Sequence, residues 1–572
     1  MEKIKKLRKL IIEEKIDGYL VSKNDEFFGE YVPNHNDRLN YISNFSGSFG
    51  FALILLKKNY LFVDGRYTLQ ANNQSGKLYE VVTIPNKVPR DILKNKKLLI
   101  GFDPKLFTTK TLQYFFKNTD CKFKELKDNL IDRIWKRKIK NSKKDFYKLP
   151  SKSIGKSYKS KINKIVRFLK EKKANYQLIS SSENNAWLFN IRGFDTKYTP
   201  VPNSCVLIDN KKNIKFFCDL KKISKSLKKS LNDVEFINIK MLSKNLLNIY
   251  DKRIIIDKDT CSYFYENLLV KKNKILNLQD PIYFLKAIKS KVEIENIKRA
   301  HIYDGAALTK FLLWLKKNFD KKKITEISAS QKLFKFRKKN KNFKFLSFPT
   351  ISGTGPNGAI IHYKPSNKTN RKLRKGDIYL VDSGGQYEFA TTDVTRTISL
   401  KNNSQRIKDI FTRVLKGHIA VADFNLKKNT TGSQIDFKAR KSLKEIGLDY
   451  AHGTGHGVGY FLNVHEGPHA ISRNNNVKIK EGMIVSNEPG YYEKNNFGIR
   501  IENLIFVKKL KRKNCFENLT VVPIEKNLIN KKLLNKNEKK WINHYHQKVY
   551  NSLKSLMNKS EVLQLKAACS AI

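Results

Sequence analysis

The sequence predicts a chain of α/β and α+β domains, and three observations support this. Its 572 residues are more than one hydrophobic core usually organises. A helical pattern followed by short apolar strands opens the chain, which predicts an α/β domain. In the second half, helical patterns alternate with antiparallel strand pairs, which predicts an α+β domain. We expect domains at 1–135, 136–288 and 289–508, followed by an extension at 509–572.

The first domain begins with an amphipathic helix and continues with apolar strands. Ile4, Leu7 and Ile11 recur at helical spacing among charged residues. The segment DGYLVSK (17–23) predicts a strand, and two further strands should flank the turn at 57–59. This order of elements indicates an α/β unit.

The second domain follows a basic linker at 136–156 that contains few apolar residues. The apolar run at 187–191 predicts a strand. Pro200 and Pro202 predict an extended loop, because proline is excluded from helix interiors.

The third domain opens with a long helical pattern at 286–315. His301 and Asp304 on this helix are expected to be surface or capping groups. The extension carries four apolar residues at intervals of four, which predicts an amphipathic helix. These residues are Trp541, Tyr545, Val549 and Leu553.

Acidic residues between 376 and 502 begin the strongest functional pattern in the chain. Asp382 ends an apolar strand and Asp393 precedes a β-branched one, with a turn predicted at Gly384 and Gly385. The two carboxylates should then face each other across an antiparallel ladder. Two ionised carboxylates that face each other across a ladder repel unless a cation lies between them.

Three more residues complete the candidate set. His456 lies among glycines at 452–459, and Glu488 ends an apolar run. Glu502 shares the polar face of an alternating strand with Arg500, so we expect Arg500 to orient a ligand. Any one of these residues alone is more often part of a turn or a satisfied polar group. The prediction therefore depends on the ordered series of five.

Four carboxylates and one imidazole form a hard, oxygen-rich donor set. Such a set suits Mn²⁺ or Mg²⁺, accepts Zn²⁺ or Co²⁺, and disfavours a thiolate site. Two divalent cations about 3.5–4 Å apart, bridged by carboxylates and a water or hydroxide, form a common hydrolytic centre. The predicted ligands of this dinuclear centre are Asp382, Asp393, His456, Glu488 and Glu502.

Longer segments around these ligands carry a family resemblance. They are FPTISGTGPNGAIIHY (348–363), DVTRT (393–397), HGTGHGVG (452–459) with FLNVHEGP (461–468), and NEPGYY (487–492) with FGIRIEN (497–503). With the five ligands, they resemble the three-domain Xaa-Pro aminopeptidases, the long form of aminopeptidase P, among the pita-bread metallopeptidases. The resemblance covers nearly the whole chain. It implies two creatinase-type N-terminal α/β domains, a pita-bread catalytic domain and a short C-terminal helical extension.

The resemblance also implies an activity. It indicates a metal-dependent aminopeptidase that removes the first residue from peptides with proline in second position, by a hydroxide bound to the dinuclear metal centre. Two divalent ions per subunit are expected, Mn²⁺ first, with Co²⁺ or Zn²⁺ as alternatives. Glu488 matches the family's general base, while His362, His452 and His465 match its catalytic and substrate-binding histidines. Arg500 is expected to hold a ligand in place.

Composition narrows the class of protein further. The formal net charge is +62, but the lysines are scattered rather than clustered, so specific nucleic-acid binding is not expected. No apolar run approaches the length of a membrane-spanning helix, about 20 residues. The N-terminus lacks the apolar segment of a signal peptide. Six widely spaced cysteines fit a reducing compartment. We expect a cytoplasmic protein, and the resemblance of the extension implies a homodimer.

Two alternatives remain open. A prolidase acting on Xaa-Pro dipeptides would use the same metal centre, although the two N-terminal domains and the segment 348–363 disfavour it. A metal-free pita-bread protein would instead bind a partner, as some relatives bind histones or RNA. All five ligands are retained here, which disfavours that alternative.

Overall fold

The computed structural model describes residues 1–139, 142–511 and 513–572. These residues form two compact units, Met1–Tyr283 and Phe284–Ile572. The first unit contains two six-stranded mixed sheets with helices, and the second combines long helices with antiparallel sheets. The predicted α/β and α+β fold class is confirmed.

The first half of the first unit contains six strands and six helices. The strands are β1 (Gly18–Ser22), β2 (Phe51–Leu55), β3 (Asn59–Asp64), β4 (Glu80–Ile84), β5 (Leu99–Phe102) and β6 (Lys122–Glu125). The helices are α1 (Glu2–Glu13), α2 (Arg38–Ser43), α3 (Thr68–Ser75), α4 (Pro89–Ile92), α5 (Thr109–Phe116) and α6 (Leu130–Ile134). The sheet order is β4-β3-β2-β1-β5-β6. Ile4, Leu7 and Ile11 of α1 are buried, so the predicted amphipathic helix is confirmed, as are the three strands.

The following segment repeats this arrangement. Its strands are β7 (Tyr147–Lys148), β8 (Tyr176–Ile179), β9 (Ile191–Arg192), β10 (Cys205–Asp209), β11 (Ile214–Cys218), β12 (Glu235–Asn238), β13 (Arg253–Ile256) and β14 (Lys274–Asn277). Its helices are α7 (Tyr158–Glu171), α8 (Ser182–Phe189), α9 (Lys225–Ser230), α10 (Leu242–Leu247), α11 (Tyr263–Val270) and α12 (Ile282–Ala287). The sheet order is β12-β11-β10-β8-β13-β14, and its parallel and antiparallel pairings match those of the first sheet in sequence. The two halves therefore share one topology.

The prediction of a strand at 187–191 is wrong. Most of this run belongs to α8, and only Ile191–Arg192 forms a strand. Every residue of α8 except Glu183 is buried, so the helix has no polar face that would reveal its period. A short apolar run does not distinguish a buried helix from a strand. Asn190 ends the helix in the left-handed region, with φ of 55°.

The second unit carries the remaining elements. Its helices are α13 (Lys291–Asn318), α14 (Glu326–Lys338), α15 (Gln405–Ala422), α16 (Gly432–Lys444), α17 (Lys536–Leu553) and α18 (Lys559–Ala568). Its strands are β15 (Phe343–Leu346), β16 (Ile351–Thr354), β17 (Ile378–Ser383), β18 (Gly385–Tyr387), β19 (Ala390–Thr391), β20 (Val394–Ser399), β21 (Gly455–Gly457), β22 (Glu466–Ile471), β23 (Ile484–Asn487), β24 (Gly490–Glu493), β25 (Phe497–Arg500), β26 (Asn503–Leu510) and β27 (Lys513–Asn518). The main sheets have the orders β16-β17-β20 and β22-β21-β23-β26-β27.

His301 and Asp304 on α13 are buried, so the prediction of surface or capping groups is wrong. Asp304 forms a two-pronged ion pair with Arg337 of α14 at 2.7 and 3.1 Å. His301 donates from Nδ1 to the carbonyl oxygen of Ile297 at 2.8 Å. The partner of Asp304 lies 33 residues away on another helix, which helical periodicity does not reveal.

The C-terminal helix α17 packs its apolar face into the core of the second unit. Tyr545, Val549 and Leu553 are buried and Trp541 is half-buried, which confirms the predicted amphipathic helix. Across the described residues, no helix combines the length and apolar character that crossing a bilayer requires.

Candidate metal centre

Strands β17 and β20 bring the first two aspartates close together. The strands are antiparallel, and Asp382 of β17 lies opposite Thr395 of β20. Asp393 lies two residues before Thr395 and therefore on the same face. The predicted strand pair is confirmed, but Gly384 and Gly385 do not form its turn, because the β18–β19 hairpin intervenes. The aspartates are also not directly opposed in the ladder, since the register offsets them by two residues.

The other three predicted ligands lie in or next to strands of the same unit. His456 lies in β21, Glu488 directly follows β23, and Glu502 lies between β25 and β26. β21 approaches β23 closely enough that a Cβ atom on Gly455 would lie 1.9 Å from the carbonyl oxygen of Ser486. Glycine at this position therefore allows His456 to sit beside the strand that leads to Glu488.

His456 is at the centre of the cluster. Its Nε2 lies 3.5 Å from Asp393 Oδ2 and 3.5 Å from Glu488 Oε1. The potential ligand atoms of Asp393, His456 and Glu502 all lie within 4.8 Å of one another. The ring's Nδ1 lies 2.9 Å from the carbonyl oxygen of Gly457 and donates to it, which leaves the Nε2 lone pair directed at the carboxylates.

Neighbouring hydroxyl groups orient two of the carboxylates. Thr395 donates from Oγ1 to Glu502 Oε2 at 2.7 Å. Ser486 donates to Glu488 Oε1 at 3.1 Å and accepts from the backbone N–H of His456 at 2.9 Å. Both hydroxyls thus fix ligand geometry, as supporting hydrogen bonds do in metal sites.

Arg500 attaches Asp382 to this network. Its Nη2 donates to Asp382 Oδ2 at 2.7 Å, and its Nη1 donates to the Tyr492 hydroxyl at 2.6 Å. Although burial opposes the charge of Arg500, Tyr492, Asp382 and Glu488 raise its pKa well above its usual value. Arg500 is therefore placed as predicted, next to one of the ligands.

The clustered carboxylates resist ionising together. Burial raises the pKa of Glu502 well above its usual value, and neighbouring charges, led by Asp393, raise it further. Burial also raises the pKa of Glu488, although His456 opposes the shift. The charges of neighbouring carboxylates therefore oppose the ionisation of Glu502, as expected for acids that share one buried site.

The donor set fits a pair of divalent cations. Asp382 Oδ1 is buried and accepts no hydrogen bond from the described residues, so it is available as a ligand atom. Oxygen donors with one imidazole suit hard or borderline divalent metals, and their positive charge would relieve the carboxylate repulsion. The structure brings Asp393, His456 and Glu502 into one group, with Glu488 joined through His456.

The three predicted active-site histidines occupy different positions around the cluster. His465 is exposed, and its ring centroid lies 4.2 Å from that of His456. His452 is half-buried, and its Nε2 accepts from the Tyr492 hydroxyl at 2.9 Å. His362 is half-buried and directly follows Ile361, whose carbonyl oxygen accepts from Arg500 at 3.3 Å.

Sequence reasoning missed several residues that support the cluster. Tyr492 links Arg500 to His452, and Thr395 and Ser486 hold two of the glutamates. The pairing of β24 with β25 could have placed Tyr492 beside Arg500, since the hairpin register sets both on one face. The contact of Thr395 with Glu502 depends on long-range packing, which no local pattern encodes, whereas Ser486 lies only two residues before Glu488.

Family models match four consecutive parts of the chain. The profile of metallopeptidase family M24 matches residues 295–509, and that of the C-terminal region of peptidase M24 matches 514–572. Two profiles of the creatinase/prolidase N-terminal domain match 3–134 and 137–293. Together with the clustered carboxylates, these matches define a metallopeptidase.

Similar proteins narrow this class. A probable Xaa-Pro aminopeptidase P of Laccaria bicolor is 39% identical over 97% of this chain and 91% of its own length. Xaa-Pro aminopeptidase 1 of Dictyostelium discoideum is 36% identical over 98% of this chain and 94% of its own length. The crystal structure of X-prolyl aminopeptidase from Caenorhabditis elegans, described as a cytosolic enzyme with a di-nuclear active site, superposes with a TM-score of 0.94 and is 29% identical, covering 100% of this chain and 99% of that one. The chain belongs to metallopeptidase family M24, as the sequence predicts.

Proposed function

We propose that this chain is an Xaa-Pro aminopeptidase, which removes the N-terminal residue from peptides with proline in second position. The observation that carries the proposal is the grouping of Asp393, His456 and Glu502 ligand atoms within 4.8 Å, with Glu488 beside them. The relatives with that name, aligned over nearly the whole chain, support the same activity.

The proposed cofactor is a pair of divalent cations, Mn²⁺ first and Co²⁺ or Zn²⁺ as alternatives. When bound, such a pair acts as a Lewis acid and ionises a water near neutral pH. The side chains that would hold it are Asp382, Asp393, His456, Glu488 and Glu502.

Glu488 is the proposed general base. Its carboxylate faces His456, and among the described residues Ser486 donates to its Oε1. In this role Glu488 takes the proton of the attacking water and passes it to the leaving nitrogen.

The histidines are proposed to bind the substrate. His465 is exposed beside His456, where it can donate a hydrogen bond to the scissile carbonyl oxygen or the tetrahedral intermediate. His452 has Nδ1 on the carbonyl oxygen of Gly453 at 2.7 Å and Nε2 on Tyr492, which fixes its ring against the pocket for the residue after the cut. His362 is proposed to stabilise the oxyanion or transfer a proton.

The preference for proline has a physical basis. An Xaa-Pro bond has no N–H and a fixed ring, so a peptidase that needs that hydrogen bond cannot bind it productively. A carboxylate-rich site can hold the free α-amino group, and an apolar slot for the ring would then place the first peptide bond at the reacting centre.

Peptide hydrolysis tests the proposal. The protein is loaded with Mn²⁺ and given Arg-Pro-Pro, Arg-Ala-Pro and the dipeptide Gly-Pro. The proposal expects release of arginine from Arg-Pro-Pro and much slower cleavage of the other two. Preferential cleavage of Gly-Pro would indicate a prolidase instead. A protein that contains no metal and stays inactive with Mn²⁺ would indicate a non-enzymatic binding protein.

We also propose that the protein acts as a cytoplasmic homodimer. The cytosolic description of the Caenorhabditis elegans enzyme supports the location. The match of residues 514–572 to the C-terminal region of peptidase M24, whose resemblance implies a homodimer, supports the assembly. Sedimentation equilibrium would give the mass of two chains if the proposal holds and about 66.6 kDa if it does not.

A further inference from the structure

Arg396 is a buried arginine whose side chain lies on the other face of β20 from that of Thr395. Arg396 is 1% exposed, and its five N–H groups have six neutral oxygen atoms within hydrogen-bond distance, so one N–H of Nη2 is shared between two acceptors. A buried cation is costly unless each of its N–H groups finds an acceptor, so the position of this guanidinium is closely determined.

One side of the guanidinium holds the segments that carry two predicted ligands. Nη1 donates to the carbonyl oxygens of Thr395 at 2.8 Å and Glu502 at 2.7 Å. Nη2 donates to the amide oxygen of Asn503 at 2.8 Å. Thr395 follows Asp393 by two residues, so a single side chain joins the backbones on which Asp393 and Glu502 are mounted.

The other side is bound by the C-terminal extension. Nε donates to the carbonyl oxygen of Pro523 at 3.0 Å. Nη2, whose two N–H groups also serve Asn503, lies 2.7 Å from the carbonyl oxygen of Val522 and 2.9 Å from the Tyr545 hydroxyl oxygen. Tyr545 is 2% exposed and donates in turn to the carbonyl oxygen of Val522 at 2.8 Å. The extension thus supplies three of the six acceptors.

Helix α17 is fixed to the same segment by a second contact. His546 accepts a hydrogen bond from the backbone N–H of Ile524 at 3.1 Å. Trp541 stacks on Tyr545, with ring centroids 5.4 Å apart and planes at 4°. The Tyr545 hydroxyl is therefore held firmly in place as an acceptor for the arginine.

We propose that Arg396 and Tyr545 are positioning residues for the metal centre, through which the C-terminal extension sets the backbone that carries Asp393 and Glu502. In this account the extension is part of the catalytic unit whether or not it also forms a dimer contact. The inference rests on the proposed function only where peptide cleavage is measured, since cation binding is measured separately.

Three variants separate positioning from general stability. Tyr545→Phe removes the hydroxyl and keeps the ring, and Arg396→Lys keeps the charge but loses the branched donor geometry. Tyr550→Phe is the matched control, because Tyr550 is a half-buried tyrosine on the same helix. Calorimetric titration of each metal-free protein with Mn²⁺ gives the affinity, with the melting temperature without metal and the kcat and KM for Arg-Pro-Pro measured in parallel.

The expected losses differ among the variants. Tyr545→Phe should weaken Mn²⁺ binding about fivefold, the worth of one hydrogen bond. Arg396→Lys should weaken it about 10- to 100-fold, as outer partners of metal ligands do. kcat should fall with the affinity while KM changes little, and Tyr550→Phe should match the unaltered protein in every measurement.

Several outcomes would overturn the proposal. If Tyr545→Phe binds Mn²⁺ as tightly as the unaltered protein and only its melting temperature falls, the two residues are merely structural. If Arg396→Lys does not fold, the comparison of Tyr545→Phe with Tyr550→Phe still decides. An unaltered protein that binds Mn²⁺ but cleaves no Xaa-Pro peptide would contradict the proposed function, while a Mn²⁺ affinity lowered in Tyr545→Phe would still support the positioning role.

Discussion

At the residue scale, neighbouring groups orient four of the five predicted ligands before any cation binds. Thr395 fixes Glu502 and Ser486 fixes Glu488. Arg500 fixes Asp382, and the Gly457 carbonyl oxygen fixes the His456 ring. Because these side chains are already ordered, metal binding costs less conformational entropy. Substitutions at the ligands should therefore act on metal binding far more than on the fold.

Asp393→Asn should remove metal and activity together. The carboxamide keeps the shape but loses the negative charge that the cations need, so we expect cleavage of Arg-Pro-Pro to fall by more than about 100-fold, since even outer partners cost 10- to 100-fold. Elemental analysis and kinetics on the same sample check this. Asp423→Asn, at an exposed position after α15, is the control. Unchanged metal content and activity in Asp393→Asn would contradict the assignment.

His465→Ala should slow the reaction without loss of metal. The ring lies beside His456 but is exposed, so its removal takes a hydrogen-bond donor from the substrate rather than a ligand from the cations. Loss of one such donor typically lowers kcat by about 10²- to 10³-fold. We expect this fall with unchanged metal content, and no change for His544→Ala on the exposed side of α17. Loss of bound metal in His465→Ala would mean that His465 is a ligand.

The five proposed ligands were predictable from sequence because each lies in a recognisable local setting and the series as a whole resembles a known family. Arg500 was predictable too, because it shares the polar face of an alternating strand with Glu502. Thr395 was not, since it lies 107 positions from Glu502, to which it donates. That contact follows from how strands pack, which no period in the sequence records.

At the element scale, a buried glutamate organises the loop that carries His362. Glu326 is 0% exposed and accepts from the backbone N–H groups of Thr354 and Arg371 and from the Tyr363 hydroxyl, at 2.8 to 2.9 Å. Tyr363 directly follows His362. The first turn of α14 therefore fixes a loop that contributes to the proposed substrate site.

Glu326→Gln should loosen this loop. A carboxamide accepts with only one oxygen, so at least one buried donor loses its partner, at a cost of about 1–3 kcal/mol in the free energy of unfolding. We expect a lower urea midpoint and a lower kcat for Arg-Pro-Pro. Glu295→Gln on the exposed face of α13 is the control and should change stability by less than about 0.5 kcal/mol. Equal effects of the two substitutions would contradict a role for the buried carboxylate.

Helix α17 should make stability depend on pH through His546. Burial lowers the pKa of His546 to about 4, so between pH 6.5 and 4 the unfolded chain binds a proton that the folded chain does not. Stability should fall as pH drops through that window, by up to about 1.4 kcal/mol per pH unit from this residue. In urea unfolding at pH 4.5 to 7, the free energy of unfolding should depend less steeply on pH in His546→Gln. The difference in slope should correspond to about one bound proton. An unchanged slope, or an equal effect of His544→Gln, would contradict this.

Elements with a clear period were predictable, and elements buried on all sides were not. α1 and α17 each have a polar face and were predicted correctly. α8 has no such face, so its apolar run predicts a strand as readily as a helix. The β18–β19 hairpin was missed because two adjacent glycines resemble a complete turn.

At the scale of the whole molecule, the predicted family and fold class are confirmed. The two sheets of the first unit share one strand order, and four family profiles together cover almost the entire chain. The domain boundaries near residues 135, 288 and 508 stay predictions. Limited proteolysis would test them. The formal net charge of +62 is spread along the whole chain rather than confined to one segment.

Five side chains in or next to separate strands are proposed to hold two neighbouring cations. Anomalous X-ray scattering from crystals grown with Mn²⁺ would locate these cations. We expect two peaks about 3.5–4 Å apart, both within bonding distance of the carboxylates and one of them within bonding distance of His456 Nε2. A single peak, peaks elsewhere in the molecule, or no peak at a Mn²⁺ concentration that supports cleavage would contradict the proposed centre.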